Sequence, residues 1–206
     1  NLLLTTMLPT LLLPKMAFET GIPPENKTLV VVPTMLLTPE SIREDIDQLE
    51  IRYLANTDSS LSFGLFGDFS DVKEREADQD SSLLEIAIGG IQALEKKYGE
   101  GKFYLFHRLR EWSDSENAWI GRERKRGKLE YLNRFLTGEA LPENIVYVGK
   151  AEALKGTRYV ITLDADTQLT KDQARSLVEI ISHPLNRPFL DASRKKTERG
   201  YTIIQP

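Results

Sequence analysis

At 206 residues, 40% of them apolar and 28% charged, the chain is long enough for one domain with its own core, and this composition excludes wholesale disorder. Lysine plus arginine number 27 against 31 acidic residues, a formal net charge of -4, so the chain lacks the positive field of a general nucleic-acid binder and must meet any phosphate locally. Cysteine is absent, which excludes disulfides, thiolate catalysis and cysteine-based zinc sites.

The chain opens at Asn1 on LLLTTMLPTLLLPKM, an apolar stretch broken by Thr5, Thr6, Pro9 and Thr10. It is too short to span a bilayer and has no basic segment before it, so it reads as neither a transmembrane helix nor a signal peptide. Residues 1–24 are expected to form an N-terminal arm packed on the domain, with a position beside a membrane as the alternative, and residues 25–206 the domain itself.

TLVVVPTM, residues 28–35, is a continuous apolar run of strand length, as expected of a strand buried on both faces. Thr38 followed by Pro39 starts a helix, and Ile42, Ile46, Leu49 and Tyr53 recur on one face of it. Residues 61–69 are a second strand, followed after a polar loop by a helix with Leu84, Ala87, Ile91, Leu94 and Tyr98 inward. FYLFHR, residues 103–108, is a third strand. A loop with Trp112 and Trp119 leads to a helix over about residues 127–136, and residues 145–149 suggest a short strand.

YVITLDADT, residues 159–167, is the clearest strand; Thr170 and Gln173 then form a capping box for a helix burying Ala174, Leu177, Val178 and Ile181. YTIIQP, from Tyr201, is read as the beginning of another strand. This alternation predicts an α/β fold, three-layer α/β/α with a mostly parallel sheet, whose ligands bind beyond the carboxyl ends of the strands. Ending on a strand without a covering helix, the chain is expected to continue in its natural context.

Asp164 and Asp166 flank Ala165 at the end of the strongest strand. Residues two apart in a strand face one side, so if the extended geometry persists both carboxylates converge, and a hard cation relieves their repulsion. Mg²⁺ or Mn²⁺ there could bridge to a diphosphate; the alternative is a capping Asp164 beside a solvated Asp166. The basic run GRERKRGKLEYLNRFL adds Arg122, Arg124, Lys125, Arg126 and Lys128 before an amphipathic helix, with Gly127 permitting close backbone approach. It can hold a diphosphate; the alternatives are a solvated basic face or a nucleic-acid patch, against which stand the acidic total and the absence of interleaved aromatics. Asp68, at the end of the second strand, could accept a uracil N–H or a ribose hydroxyl, and equally could be a turn residue bonded to its own loop. Thr34 is a weaker candidate of the same kind, while His107 and the two tryptophans are expected in the core or as loop anchors.

LVVVPT, QLEIRYLAN, ERKRGKLEYLNRFL, RYVITLDADTQL, HPLNRP and GYTIIQP, in that order, resemble the glycosyltransferase domain of the bacterial cyclic β-1,2-glucan synthases, relatives of the family-two glycosyltransferases with the GT-A fold. That resemblance implies UDP-glucose as donor, Asp164 and Asp166 as metal ligands, Lys128 near the nucleotide and Asp68 near the uridine, while Arg126 and Thr34 are candidate nucleotide contacts from the residues alone. It further implies a growing β-glucan acceptor, and a large protein with flanking membrane helices that holds this domain at the cytoplasmic face of the bacterial inner membrane. The later acidic motif and QxxRW motif of related inverting enzymes do not occur before Pro206, so the chain is expected to hold part of the donor site without completing transfer. A non-catalytic nucleotide-binding or interaction module is the competing reading. More distant is a haloacid-dehalogenase phosphatase, whose DxDxT motif differs from DADTQ by one position and belongs on the first strand.

Overall fold

The apolar runs pair into a central sheet in the computed structural model, which describes residues 13–191, 193 and 196–205. Its strands are β1 (Thr28–Met35), β2 (Leu61–Asp68), β3 (Phe103–Arg108), a hairpin of β4 (Glu111–Ser113) and β5 (Ala118–Ile120), β6 (Ile145–Val148), β7 (Tyr159–Thr162), and a second hairpin of β8 (Phe189–Asp191) and β9 (Lys196–Arg199). Its helices are α1 (Pro39–Ala55), α2 (Asp80–Tyr98), α3 (Arg124–Leu136), α4 (Ala151–Leu154) and α5 (Gln173–Ser182). The main sheet runs β6-β3-β2-β1-β7, parallel throughout except for β6, which joins β3 antiparallel at the edge.

Alternation along the strands sends side chains to two cores. Val30, Val32, Phe63, Leu65, Phe103 and Leu105 meet Ile42, Ile46 and Leu49 of α1, Leu83, Ala87 and Ile91 of α2, and Ala174 and Val178 of α5. On the other face Leu29, Val31, Phe66, Tyr104 and Phe106 meet Leu132 of α3 and Leu154 of α4. Each fully buried leucine or phenylalanine contributes about 1.5–3 kcal/mol. The result is the three-layer α/β/α arrangement, with a mostly parallel sheet, that the alternating pattern predicts. Thr38 caps α1 as expected: its hydroxyl accepts from the Ser41 N–H, and Ser41 returns the bond to the Thr38 N–H.

Several local expectations change. α2 starts at Asp80, and Leu83 is the buried residue of its first turn, with Leu84 half-buried against the same core. The tryptophan loop is the β4–β5 hairpin, and Trp112 and Trp119 face each other across it. α3 begins at Arg124, three residues before Gly127. Thr170 donates its N–H to the Gln173 side chain, but α5 begins only at Gln173. Residues 201–205 form no strand; the short β8–β9 hairpin lies just ahead of them.

The strand before DADT stops at Thr162 rather than Thr167. The Leu163 N–H donates to Val31, and backbone donors alternate sides along β1, so the next group due to face β7 belongs to Pro33, which has no N–H. The ladder ends there, and residues 164–167 form a turn closed by Thr167 N–H to the Asp164 carbonyl at 3.0 Å.

Of the N-terminal arm, residues 1–12 lie outside the described residues, as does Pro206. The described part lies against α5: Met16 N–H donates to the Glu179 carbonyl and Phe18 N–H to its carboxylate, both at 3.0 Å. Among the described residues no helix is long and apolar enough to cross a membrane.

Candidate functional site

β1, β2 and β3 end side by side, and their last residues meet at the carboxyl edge of the sheet: Met35 opposite Asp68, and Asp68 opposite Arg108. Arg108, fully buried, donates through Nε and Nη2 to the two oxygens of Asp68, each at 3.0 Å, and through Nη1 to the Arg122 carbonyl at 2.6 Å. Lys128, reaching in from α3 and also buried, approaches Asp68 Oδ2 to 3.2 Å and donates to the Thr34 carbonyl at 2.7 Å. One carboxylate therefore lies between two buried cations. Burial pulls the Lys128 ammonium below its ordinary value, and the Asp68 carboxylate works against that shift.

Asp68 is thus not the turn residue of the second sequence alternative. It bonds to Arg108 and Lys128 instead of its own loop, and it still lines the cavity above them. Thr34 turns its hydroxyl to Asp45 Oδ2 at 2.5 Å. Burial pushes the Asp45 carboxyl up, against the Thr34 hydrogen bond and the nearby Arg52 charge.

The DADT turn is held from beneath by α1. Arg52, only 4% exposed, donates through Nη2 to the carbonyls of Ala165 at 2.6 Å and Thr167 at 2.9 Å, and through Nε to Thr167 at 3.2 Å. One helical turn on, the buried Asn56 donates to the Leu169 carbonyl and accepts from the Ala174 N–H. Asp164 projects outward, its side chain 68% exposed, and takes the Lys125 ammonium at 2.5 Å. Asp166 is exposed.

A cavity of about 320 Å³ opens between these parts, lined by Thr34, Asp68, Lys128, Lys125, Arg124 and Ala165 among others. The structure thereby brings Thr34, Asp68, Lys128 and Ala165 of the DADT turn to one crevice, while the Asp164 and Asp166 side chains lie outside its lining, Asp164 against Lys125 at its rim. It does not bring Arg126 there: that side chain is exposed, pairs with Glu123 at 3.6 Å, and lines a separate groove with Leu129 and Asn133. The basic residues at the crevice are Arg124 and Lys125, besides the buried Lys128.

The sequence matches cyclic β-(1,2)-glucan synthase NdvB of Rhizobium meliloti (strain 1021), 38% identical over 192 residues, 92% of this chain. The chain is related to that synthase. It spans 7% of the length of NdvB. No protein-family model matches the sequence. Beside the relationship to NdvB, a mostly parallel five-stranded sheet flanked by helices agrees with a GT-A-like nucleotide-sugar transferase domain.

Among the described residues no group of three or more histidine, aspartate or glutamate side chains could hold a metal alone. Magnesium-type ions commonly take one or two carboxylates and complete their shell with phosphate oxygens and water. Asp164 offers one exposed carboxylate, with Asp166 two residues on in the same exposed turn, and the ammonium already against Asp164 marks where positive charge is favoured.

Two residues of this assembly escaped the sequence reading. Arg108 had a faint signal, as a cation closing an apolar strand at the carboxyl edge. Arg52 had a better one, since it follows the inward Leu49 by three residues and precedes Asn56 by four, which places a charge on the buried face of α1. His107 is a core residue, as expected. It is fully buried, neither nitrogen has a hydrogen-bond partner, and the edge of Phe69 packs on it at 4.1 Å.

Proposed function

We propose that this chain forms the donor-binding part of a glucosyltransferase domain, holding UDP-glucose with Mg²⁺ or Mn²⁺. In the longer protein it serves transfer of glucose, with inversion, to a growing β-1,2-glucan at the cytoplasmic face of the bacterial inner membrane. The observation that carries this reading is the single cavity lined by Thr34, Asp68, Lys128 and Ala165 of the DADT turn, in a chain related to a cyclic glucan synthase. Ligands of such sheets bind beyond the carboxyl ends of the strands, which is where this cavity lies.

In this reading the nucleoside lies toward Thr34 and Asp68 and the diphosphate toward Asp164. Lys125 and Arg124 meet the phosphate oxygens and oppose the negative charge that grows on the departing UDP. The metal, when bound through Asp164 and Asp166, neutralises diphosphate charge. Lys128 keeps the floor of the cavity in place by joining Asp68 to the Thr34 carbonyl. Transfer with inversion requires an acceptor hydroxyl to attack opposite the diphosphate and to lose its proton to a base. We assign no residue of this chain to that role, so the chain alone binds the donor without transferring glucose. The phosphatase reading is disfavoured because DADT follows β7, the edge strand and the last to enter the sheet.

Calorimetric titration with UDP, with and without Mn²⁺, tests the donor site. Affinity should rise with metal and lose that rise in the D164A/D166A double variant; affinity indifferent to both overturns the reading. A glucose-transfer assay on the chain joined to its natural downstream sequence separates enzyme from binding module, since a module stays inactive.

A further inference from the structure

Arg52 reaches the donor site without touching the cavity. Burying a guanidinium is unfavourable unless its donors are used. Here three hydrogen bonds go to the carbonyls of Ala165 and Thr167, the residues on either side of Asp166. The same guanidinium is attracted to Asp45, seven residues earlier on α1, whose carboxylate takes the Thr34 hydroxyl. Thr34 in turn gives its carbonyl to Lys128. Hydrogen bonds thus hold the DADT turn to Arg52 on one side and join Asp45, Thr34 and Lys128 on the other, and Arg52 and Asp45 attract each other along α1 without a direct hydrogen bond.

We infer that Arg52 is a positioning residue of the donor site: its guanidinium, bonded to the Ala165 and Thr167 carbonyls, sets the turn that presents Asp164 and Asp166. Given the donor-site reading above, its consequence falls on metal-assisted binding. A turn with two carboxylates favours a backbone that spreads them into water, and three bonds from a cation beneath oppose this. Without them the carboxylates must be ordered again each time a metal and diphosphate bind. A plainly structural arginine would instead lower fold stability and every mode of binding together.

The test uses this chain with UDP and Mn²⁺ as probes and compares UDP affinity with and without metal in wild type, R52M, R52K and the D164N/D166N double variant, with circular dichroism to check folding. Support is a fall of about 10- to 100-fold in the metal-dependent gain for R52M, as when an outer-shell partner of a metal site is lost. Metal-free UDP affinity should stay unchanged, and R52K, which keeps the charge but not the fork, should recover part of the gain. A folded R52M that keeps the wild-type gain overturns the inference, as does one that loses both modes of binding equally. If R52M does not fold, R52K decides alone, and a gain equal to wild type overturns it. A gain that collapses in D164N/D166N but survives in the Arg52 variants sinks this inference and leaves the donor site standing; no gain in wild type removes both.

Discussion

The guanidinium of Arg108 holds both oxygens of Asp68 at 3.0 Å across the adjoining ends of β3 and β2, and Lys128 shares the same carboxylate at 3.2 Å. Breaking a buried ionic group by removing one member leaves an uncompensated charge and costs about 3–5 kcal/mol. Asp68→Ala strands two cations and should reach the upper part of that range in urea denaturation. Lys128→Met leaves the Arg108–Asp68 pair intact and should cost clearly less. Equal losses for the two variants would mean that Asp68 is not the shared anchor.

His107 gives the protein a stability that declines in weak acid. Burial pushes its imidazole down to about 3; Asp80 opposes the shift, and Lys128, Arg110 and Arg108 add to it. Its folded-state value lies below the unfolded one, so the unfolded chain binds the extra proton, and stability falls as pH drops from about 6.5 toward 3. The slope attributable to this one group approaches about 1.4 kcal/mol per pH unit. In His107→Leu, which also removes two unpartnered nitrogens, denaturation at pH 7 and pH 5 should show a smaller loss between them than in wild type. All other groups are the same in both proteins, so the difference between the two losses isolates His107.

Helix periodicity and strand runs carried most of this fold into view, because burial on one face leaves a pattern in one dimension: Ile42, Ile46, Leu49 and Tyr53 are all buried as spaced. Where the pattern misled, a backbone detail was responsible. The strand through DADT was extended by five residues because Pro33, on the neighbouring strand, is what ends the ladder, and no feature of 159–167 itself announces it. Site legibility divides in the same way. Asp68, Lys128 and the DADT motif could be found by residue type, and Asp68, Lys128 and Ala165 of that motif converge on one cavity. The basic run was legible as a run, but Lys125 and Arg126 differ by 100° around α3, and only the packing of that helix shows that Lys125 turns to the crevice and Arg126 away. Arg52 was hidden because its partners are backbone carbonyls more than a hundred residues away.

Gly127 and Gly89 should respond oppositely to the same substitution. Both lie within helices, where alanine is favoured over glycine by roughly 0.5–1 kcal/mol. A Cβ on Gly89 meets nothing within 4 Å, so Gly89→Ala should raise stability by about that amount. A Cβ on Gly127 would lie 2.4 Å from the Arg122 carbonyl oxygen and 2.7 Å from Arg108 Nη1, the pair that anchors the start of α3. Gly127→Ala should therefore lose about 1–3 kcal/mol despite its better helix propensity. Thermal denaturation of the two variants side by side checks the contrast.

Lys125 and Arg126 separate the crevice from mere proximity in sequence. Lys125 lines the cavity and holds Asp164 at 2.5 Å, whereas Arg126 pairs with Glu123 and borders the adjoining groove, which Lys125 also borders, without reaching the cavity. In the absence of metal, Lys125→Ala should weaken UDP binding by about three- to tenfold, the value of a charge-assisted hydrogen bond discounted for a half-exposed side chain. Arg126→Ala should leave it unchanged. Binding of Mn²⁺ alone should move the other way: Lys125→Ala removes a cation that competes for Asp164, and affinity should rise roughly two- to fivefold. Titration of each variant with UDP and with Mn²⁺ separately measures both signs. A Lys125→Ala protein that loses affinity for both probes would show that Lys125 supports the turn, and that its contact with Asp164 is not the one a metal replaces.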